Sequence, residues 1–279
     1  MEYKSFKVEV SDHIALVVMS RPESLNSMNL AFWQELPACM QELDASGEVR
    51  VIVLSSMGKH FSAGMDLSVF SNPNTMPSHK DFGRAGEGLR RLVLQLQDSL
   101  SSLEKVRVPV LSAIQGGCIG GALDMVCASD SRYCTQDAYF TIKETELGMT
   151  ADVGTLQRLP KLMPQGLVRE LAYTGRKFSA QEAKEQGFVN AIFENHEALL
   201  EGVMSIAQTI ATNSPLAVVG CKEMLNYSRD HNVTDSLNYM ATWQAGMFRS
   251  SDMMTTFAAQ SQKQQAVYPD VLPVKGLFE

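Results

Sequence analysis

The segment KETELGMTADVGTLQRLP, residues 143–160, places Glu144, Glu146 and Asp152 among Leu147, Met149, Val153 and Leu156. A carboxyl enclosed by apolar side chains resists ionising and can act as acid or base near neutral pH. Asp124 stands upstream, just past the glycine cluster GGCIGG (116–121), with apolar or small residues at 125–128. Three of the acids also have a plainer reading: Asp124 suits the first turn of a helix, Glu146 a solvated loop and Asp152 a helix N-cap. Glu144 ends a strand pattern, where α/β sheets present catalytic side chains. Spacing alone does not choose between these.

Other chemistries are poorly supplied. The histidines at 13, 60, 79, 196 and 231 show no HxH or HExxH spacing, and no GxSxG elbow is present. What remains are carboxylates and backbone amides. HFSAGMDL (60–67) and GGCIGGALD (116–124) each follow a strand-like run and precede a helix-like one. Such junctions free amides beside a helix start, and two of them can aim at one carbonyl oxygen. The same glycines also serve tight turns. Neither cluster ends in GK[ST] or fits GxGxxG, so a phosphate loop is not expected. Carboxylates plus an amide pair suit proton abstraction beside an activated carbonyl.

Strand pattern appears at 6–10, 14–19, 49–57, 109–116 and 131–142, and helix pattern at roughly 30–43, 86–104 and 122–130. This alternation indicates an α/β fold with crossovers. Residues 68–84 read as a Ser/Asn/Pro-rich surface loop, and from 155 onward the pattern is almost wholly helical. Asp130 and Arg132 are expected to pair.

At 279 residues, 45% hydrophobic and net charge -7, the chain suits one large soluble unit and not a general nucleic-acid binder. Cysteines 39, 118, 127, 134 and 221 are odd in number and lack CxxC spacing, as buried thiols of a reducing compartment would be. The first twenty residues read as strands and not as a targeting peptide, VKGLFE at the end lacks a peroxisomal tripeptide, and no run has membrane-spanning length. Cytoplasm is the expectation, with an organelle matrix after processing as the alternative.

HFSAGMDL and GGCIGGALDMVCASDSRYC together closely resemble the paired signatures of the crotonase (enoyl-CoA hydratase/isomerase) superfamily, and SRPESLNSMN and NSPLAVVGCKEML fit the same pattern. YCTQDAYFTIKETELGMTADVGTLQRLP and YSRDHNVTDSLNYMATW are similar to its dienoyl-CoA isomerase branch. The resemblance implies a spiral of repeated ββα units over 1–200 holding an acyl-CoA site, and a C-terminal helical region over 201–279 that builds homotrimers or homohexamers. The amides of Met65 and Gly121 would form the oxyanion hole, and Ala63, Gly64, Asp66, Leu67 and Gly120 would line the CoA side. Asp124, Glu144 and Asp152 match the branch's three carboxylates; Ala122 departs from its usual third glycine. The implied reaction moves the double bonds of a 3,5-dienoyl-CoA to the 2,4 positions without metal or redox cofactor, since CoA is part of the substrate. The implied alternatives are hydration of an enoyl-CoA through Asp124 and Glu144, or a non-catalytic acyl-CoA-binding scaffold.

Overall fold

The computed structural model describes residues 3–71, 75–248 and 251–274. The chain opens with a hairpin, β1 (Phe6–Ser11) and β2 (Ile14–Met19). Its two-residue loop, Asp12 and His13, has φ of 48° and 65°, as a tight turn between twisted strands requires. Helix α1 (Leu30–Ser46) starts where the Asn29 side chain accepts the Phe32 N–H at 2.9 Å, and buries Phe32, Leu36, Met40 and Leu43. Strand β3 (Val51–Ser56), the short α2 (Leu67–Ser71) and the long α3 (Phe82–Lys105) follow. The expected loop over 68–84 is therefore shorter, with α2 taking its first residues and α3 beginning inside it. Residues 72–74 of that expectation lie outside the described residues.

The centre of the chain runs β4 (Val110–Ile114), β5 (Gly117–Ile119), α4 (Gly121–Cys127), β6 (Ser131–Thr135) and β7 (Tyr139–Thr141). A one-turn helix α5 (Thr155–Arg158) and α6 (Gln165–Thr174) lead to β8 (Phe178–Ser179), α7 (Ala180–Glu185) and β9 (Ala191–Phe193). Helices α8 (His196–Ala211), α9 (Pro215–Asp230), α10 (Val233–Met247) and α11 (Ser251–Ser261) complete the described fold.

The strands form two sheets, one ordered β1-β2-β3-β4-β6-β9 and one ordered β5-β7-β8. All neighbouring pairs are parallel except β1–β2 and β7–β8. The pairs β4–β5, β6–β7 and β8–β9 each leave one strand in either sheet, so the chain winds as a spiral. Spacing suggests a single strand over 131–142, but a turn in which the Ala138 N–H bonds Thr135 O at 3.1 Å divides it. Strands β5, β8 and β9 leave no pattern in the sequence. At two or three residues each they are too short to show a period.

The central strands β2, β3, β4 and β6 of the large sheet are covered on both faces, which explains the nearly unbroken apolar runs of β2, β3 and β4. Ile14, Val51, Val53, Leu111 and Ala113 face Leu199, Val203 and Ala207 of α8, while Val17, Ile52, Leu54 and Ile114 join the main core with α1, α3 and α4. Helix α8 thus packs on the sheet across residue 200. Asp130 and Arg132 do not pair as expected. Arg132 donates to Ser129 O and Phe188 O, both at 2.7 Å, whereas Asp130 takes the buried Lys222 ammonium at 2.8 Å and the Val110 N–H at 2.7 Å. Each finds a nearer partner once β6 and α9 are in place. Among the described residues no helix is long and apolar enough to cross a membrane. Residues 275–279 of the C-terminal motif, and 249–250 within the expected helical tail, lie outside the described residues.

Candidate active site

Strand β3 delivers the chain to residues 60–66 beside β5. Ser62 pairs with Cys118 in parallel, its N–H bonding Gly117 O and its carbonyl receiving the Ile119 N–H, both at 3.1 Å. Met28 pairs likewise with Met65, through Met28 N–H to Gly64 O and Asp66 N–H to Met28 O. That pattern uses the amides on either side of Met65 and turns the Met65 N–H away. The Gly121 N–H opens α4, where no earlier carbonyl of the helix can accept it. Among the described residues neither N–H has a hydrogen-bond partner.

The two junctions lie back to back. Gly64 has φ +83°, and a Cβ there would stand 2.5 Å from Ile119 O and 3.3 Å from Gly121 N. A Cβ on Gly121 would stand 3.8 Å from Met65 N. Two unpartnered donors so close can share one oxygen. Beside Met65 opens a cavity of about 290 Å³, lined by Leu30, Trp33, Val69, Met76 and Leu96 among others. Of the remaining residues expected along the CoA side, Ala63 ties its N–H to Leu25 O. Asp66 is committed locally, its carboxylate accepting from Ser68 and Ser27, with Arg21 at 3.7 Å. Leu67 is exposed.

The carboxyls converge on the same place. Asp124 is 1% exposed on α4; one oxygen accepts the Thr155 N–H and the other, Oδ2, is buried with no partner among the described residues. Burial lifts its pKa to about 6 against the pull of the Thr155 bond, with the charge of Asp152 adding to the rise. Glu144 does not end a strand but opens a 3-10 turn (Glu144–Leu147), separated from β7 by two residues. Gly120, at φ +53°, leaves room for it, since a Cβ on Gly120 would lie 3.0 Å from Glu144 Oε1. Glu144 is raised to about 7, first by burial and then by the negative charge of Asp124. The Asp152 carboxyl is also raised, by partial burial. An acid and a base at one pH are therefore at hand.

The plainer readings divide. Asp152 is not a helix N-cap, for Gly154 holds that position of α5 with φ +139° and no side-chain bond. Asp124 instead caps α5 from outside. Glu146 is structural: it pairs with Lys143 and fills the space where a Cβ on Gly175 would fall. The expectation that the residues between the acids are enclosed fails for part of the segment. Ala151 and Val153 are buried, but Leu147 and Met149 are 54% and 40% exposed in the single chain, because the 3-10 turn and its Gly148 cap carry the chain outward. Asp152 is itself exposed, and its main-chain oxygen is held by Gln97 Nε2 of α3 at 2.6 Å. Gln97 and Thr155 had no signal in the sequence, since their roles arise only where α3 and α5 cross the site. Among the described residues no group of three or more His, Cys, Asp or Glu side chains is set to hold a metal ion.

The family model for enoyl-CoA hydratase/isomerase matches residues 9–270. The chain is 44% identical over 263 residues to the mouse (Mus musculus) mitochondrial Delta(3,5)-Delta(2,4)-dienoyl-CoA isomerase, covering 94% of this chain and 80% of that one. It is 43% identical over 250 residues to the peroxisomal protein of that name from Arabidopsis thaliana, covering 89% and 90%. Among solved structures, enoyl-CoA hydratase from Bacillus anthracis superposes with a TM-score of 0.86 at 28% identity, over 95% of this chain and 99% of that one.

Proposed function

The chain belongs to the enoyl-CoA hydratase/isomerase family, and on that premise we propose that it isomerises 3,5-dienoyl-CoA to 2,4-dienoyl-CoA in the breakdown of unsaturated fatty acids. The thioester oxygen sits between the Met65 and Gly121 amides, which stabilise it as negative charge develops. Glu144, ionised, takes a proton from C2. The electron pair spreads through the dienolate, and Asp152, protonated, returns a proton at C6. The double bonds then stand at C2 and C4, with no net loss of protons. Asp124 sets the charge around Glu144 and anchors the Asp152 segment through Thr155. Ala63, Gly64, Asp66, Leu67 and Gly120 line the CoA side. The thioester supplies the acidity at C2, so neither a metal nor a redox cofactor enters.

The observation that carries this reading is a third carboxyl, Asp152, in the segment tied to Asp124 through the Thr155 N–H and close enough for its charge to reach Asp124 and Glu144, beside two unpartnered amides. A hydratase needs only two such groups. The identities of 44% and 43% to relatives named dienoyl-CoA isomerase, against 28% to a hydratase structure, support the same choice. Asp152→Asn tests it. Isomerisation should fall by roughly 10²–10⁴-fold, the range of a lost acid or base, while circular dichroism stays unchanged. Retention of isomerase activity would remove Asp152 from the reaction.

The assembly we favour is a homotrimer, or a homohexamer of two trimers, built through the C-terminal helices. Leu225, Val233 and Leu237 of α9 and α10 are 71%, 75% and 65% exposed in the single chain, and a cavity of about 520 Å³ opens beside Met224, Leu225 and Trp243. Exposed apolar surface of this kind marks a contact. We draw the spiral core through α8, past the expected boundary at 200. For compartment, the names of the relatives favour an organelle matrix over the cytoplasm.

A further inference from the structure

Beneath the Asp152 segment runs a chain of charged side chains that the proposed reaction leaves unused. Arg158, in the last turn of α5, folds back over Gly154, so that a Cβ on that glycine would collide with its Nη1 at 1.9 Å. Its Nη2 donates to Ser101 Oγ at 2.9 Å and to Glu104 Oε2 at 2.6 Å, both on α3, and its Nη1 reaches Val153 O at 3.5 Å. Glu104 takes Arg229 of α9 on its other oxygen, and Asp230 joins Arg229 to Lys161. Arg158 and Glu104 are each only 15% exposed. Burial works against the Glu104 charge, yet the two guanidiniums hold its pKa below the ordinary value. A groove of about 390 Å³ borders the cluster from Gln97 to Asp230.

We propose that Arg158 and Glu104 are positioning residues, fixing the 152–155 segment against α3 and α9 so that Thr155 holds Asp124 and Asp152 faces the substrate. This rests on the reading of Asp124 and Asp152 as site residues. A surface pair would be worth little, but this one is half enclosed, shares its carboxylate between two guanidiniums and contacts the backbone carbonyl next to Asp152. Gly154 is what allows it. Its φ of +139° and absent side chain leave the space the guanidinium occupies.

The arrangement has an electrostatic signature. The groups facing Asp124 are the Thr155 N–H and Arg158 of α5, Asp152, Glu144 beyond Gly120, and the Cys118 and Cys127 thiols. Both thiols are pushed far up by burial and stay neutral. Arg158 is the cation, and it favours the ionised form of Asp124. Its loss should move the Asp124 step to higher pH. Glu104→Gln leaves Arg158 less neutralised and should move that step to lower pH. A purely structural role moves neither, or both alike.

The experiment compares Arg158→Met, Arg158→Lys, Glu104→Gln, Asp124→Asn and Asp152→Asn with the unaltered protein. It follows dienoyl-CoA isomerisation across pH, with thermal unfolding in parallel. We expect Arg158→Met to lower kcat roughly 10- to 100-fold, the scale of a misplacement of about 1 Å. KM should stay near its original value, partial recovery should come with Arg158→Lys, and the two pH steps should move in opposite directions. If Arg158→Met does not fold, Glu104→Gln carries the test alone through its acidward step and lowered kcat. Should Asp152→Asn collapse kcat while Arg158→Met and Glu104→Gln keep it with an unmoved pH profile, the positioning role is overturned. Should Asp152→Asn itself leave kcat intact and Asp124→Asn leave the pH profile unmoved, the site reading fails instead, whatever the Arg158 variants do.

Discussion

Burial and mutual repulsion raise the pKa values of the carboxyls of the proposed site. Glu144, raised to about 7, and Asp124, raised to about 6, each feel the other acids, so the steps belong to the group more than to one residue. The proposed base must be ionised and the proposed acid protonated, so kcat/KM should rise as Glu144 loses its proton, at about 7, and fall again at higher pH as Asp152 loses its own. Because the charge of Asp124 raises Glu144, Asp124→Asn should shift that rise acidward. A pH–rate profile of the variant that is unmoved, or moved to higher pH, would contradict this electrostatic picture. Glu144→Gln should cost roughly 10²–10⁴-fold in kcat; steady-state kinetics near the original value would exclude it as the base. At this scale the sequence was legible as residue types at the right spacing. It could not show that Asp124 spends one oxygen on Thr155, or that Gln97 grips the backbone of Asp152, because those partners come from segments 31 and 55 residues away.

The elements that matter most are the two strand-to-helix junctions. Their glycines were visible as clusters, and the alternation of buried strands with helices gave the α/β class. Strands β5 and β8, of three and two residues, were not visible, since their stability comes from pairing with β7 and not from their own pattern. Yet β5 is what brings Cys118 against Ser62 and so sets Met65 beside Gly121. The Gly64 backbone tests the consequence. Gly64→Ala would force a Cβ to within 2.5 Å of Ile119 O at φ +83°, pushing the junctions apart. We expect kcat to fall by about 10²–10³-fold, the range of one lost oxyanion donor, with near-native circular dichroism. Full activity would mean that the two amides do not act together.

Over the whole molecule, the crotonase-type spiral leaves the proposed site close to the surface of a single chain, with Leu147 and Met149 exposed. The apolar faces of α9 and α10 are exposed as well. Association through the C-terminal helices would cover them. Sedimentation should therefore report three or six times the 30.7 kDa chain mass. The double variant Leu225→Glu, Leu237→Glu should sediment as a single chain or a smaller assembly, and an unchanged oligomer would place the interface elsewhere. The most direct test of the account remains the reaction itself. Incubating the protein with a 3,5-dienoyl-CoA should produce the ultraviolet absorbance of a conjugated 2,4-dienoyl thioester. No conversion of that substrate, together with hydration of a 2-enoyl-CoA, would contradict it.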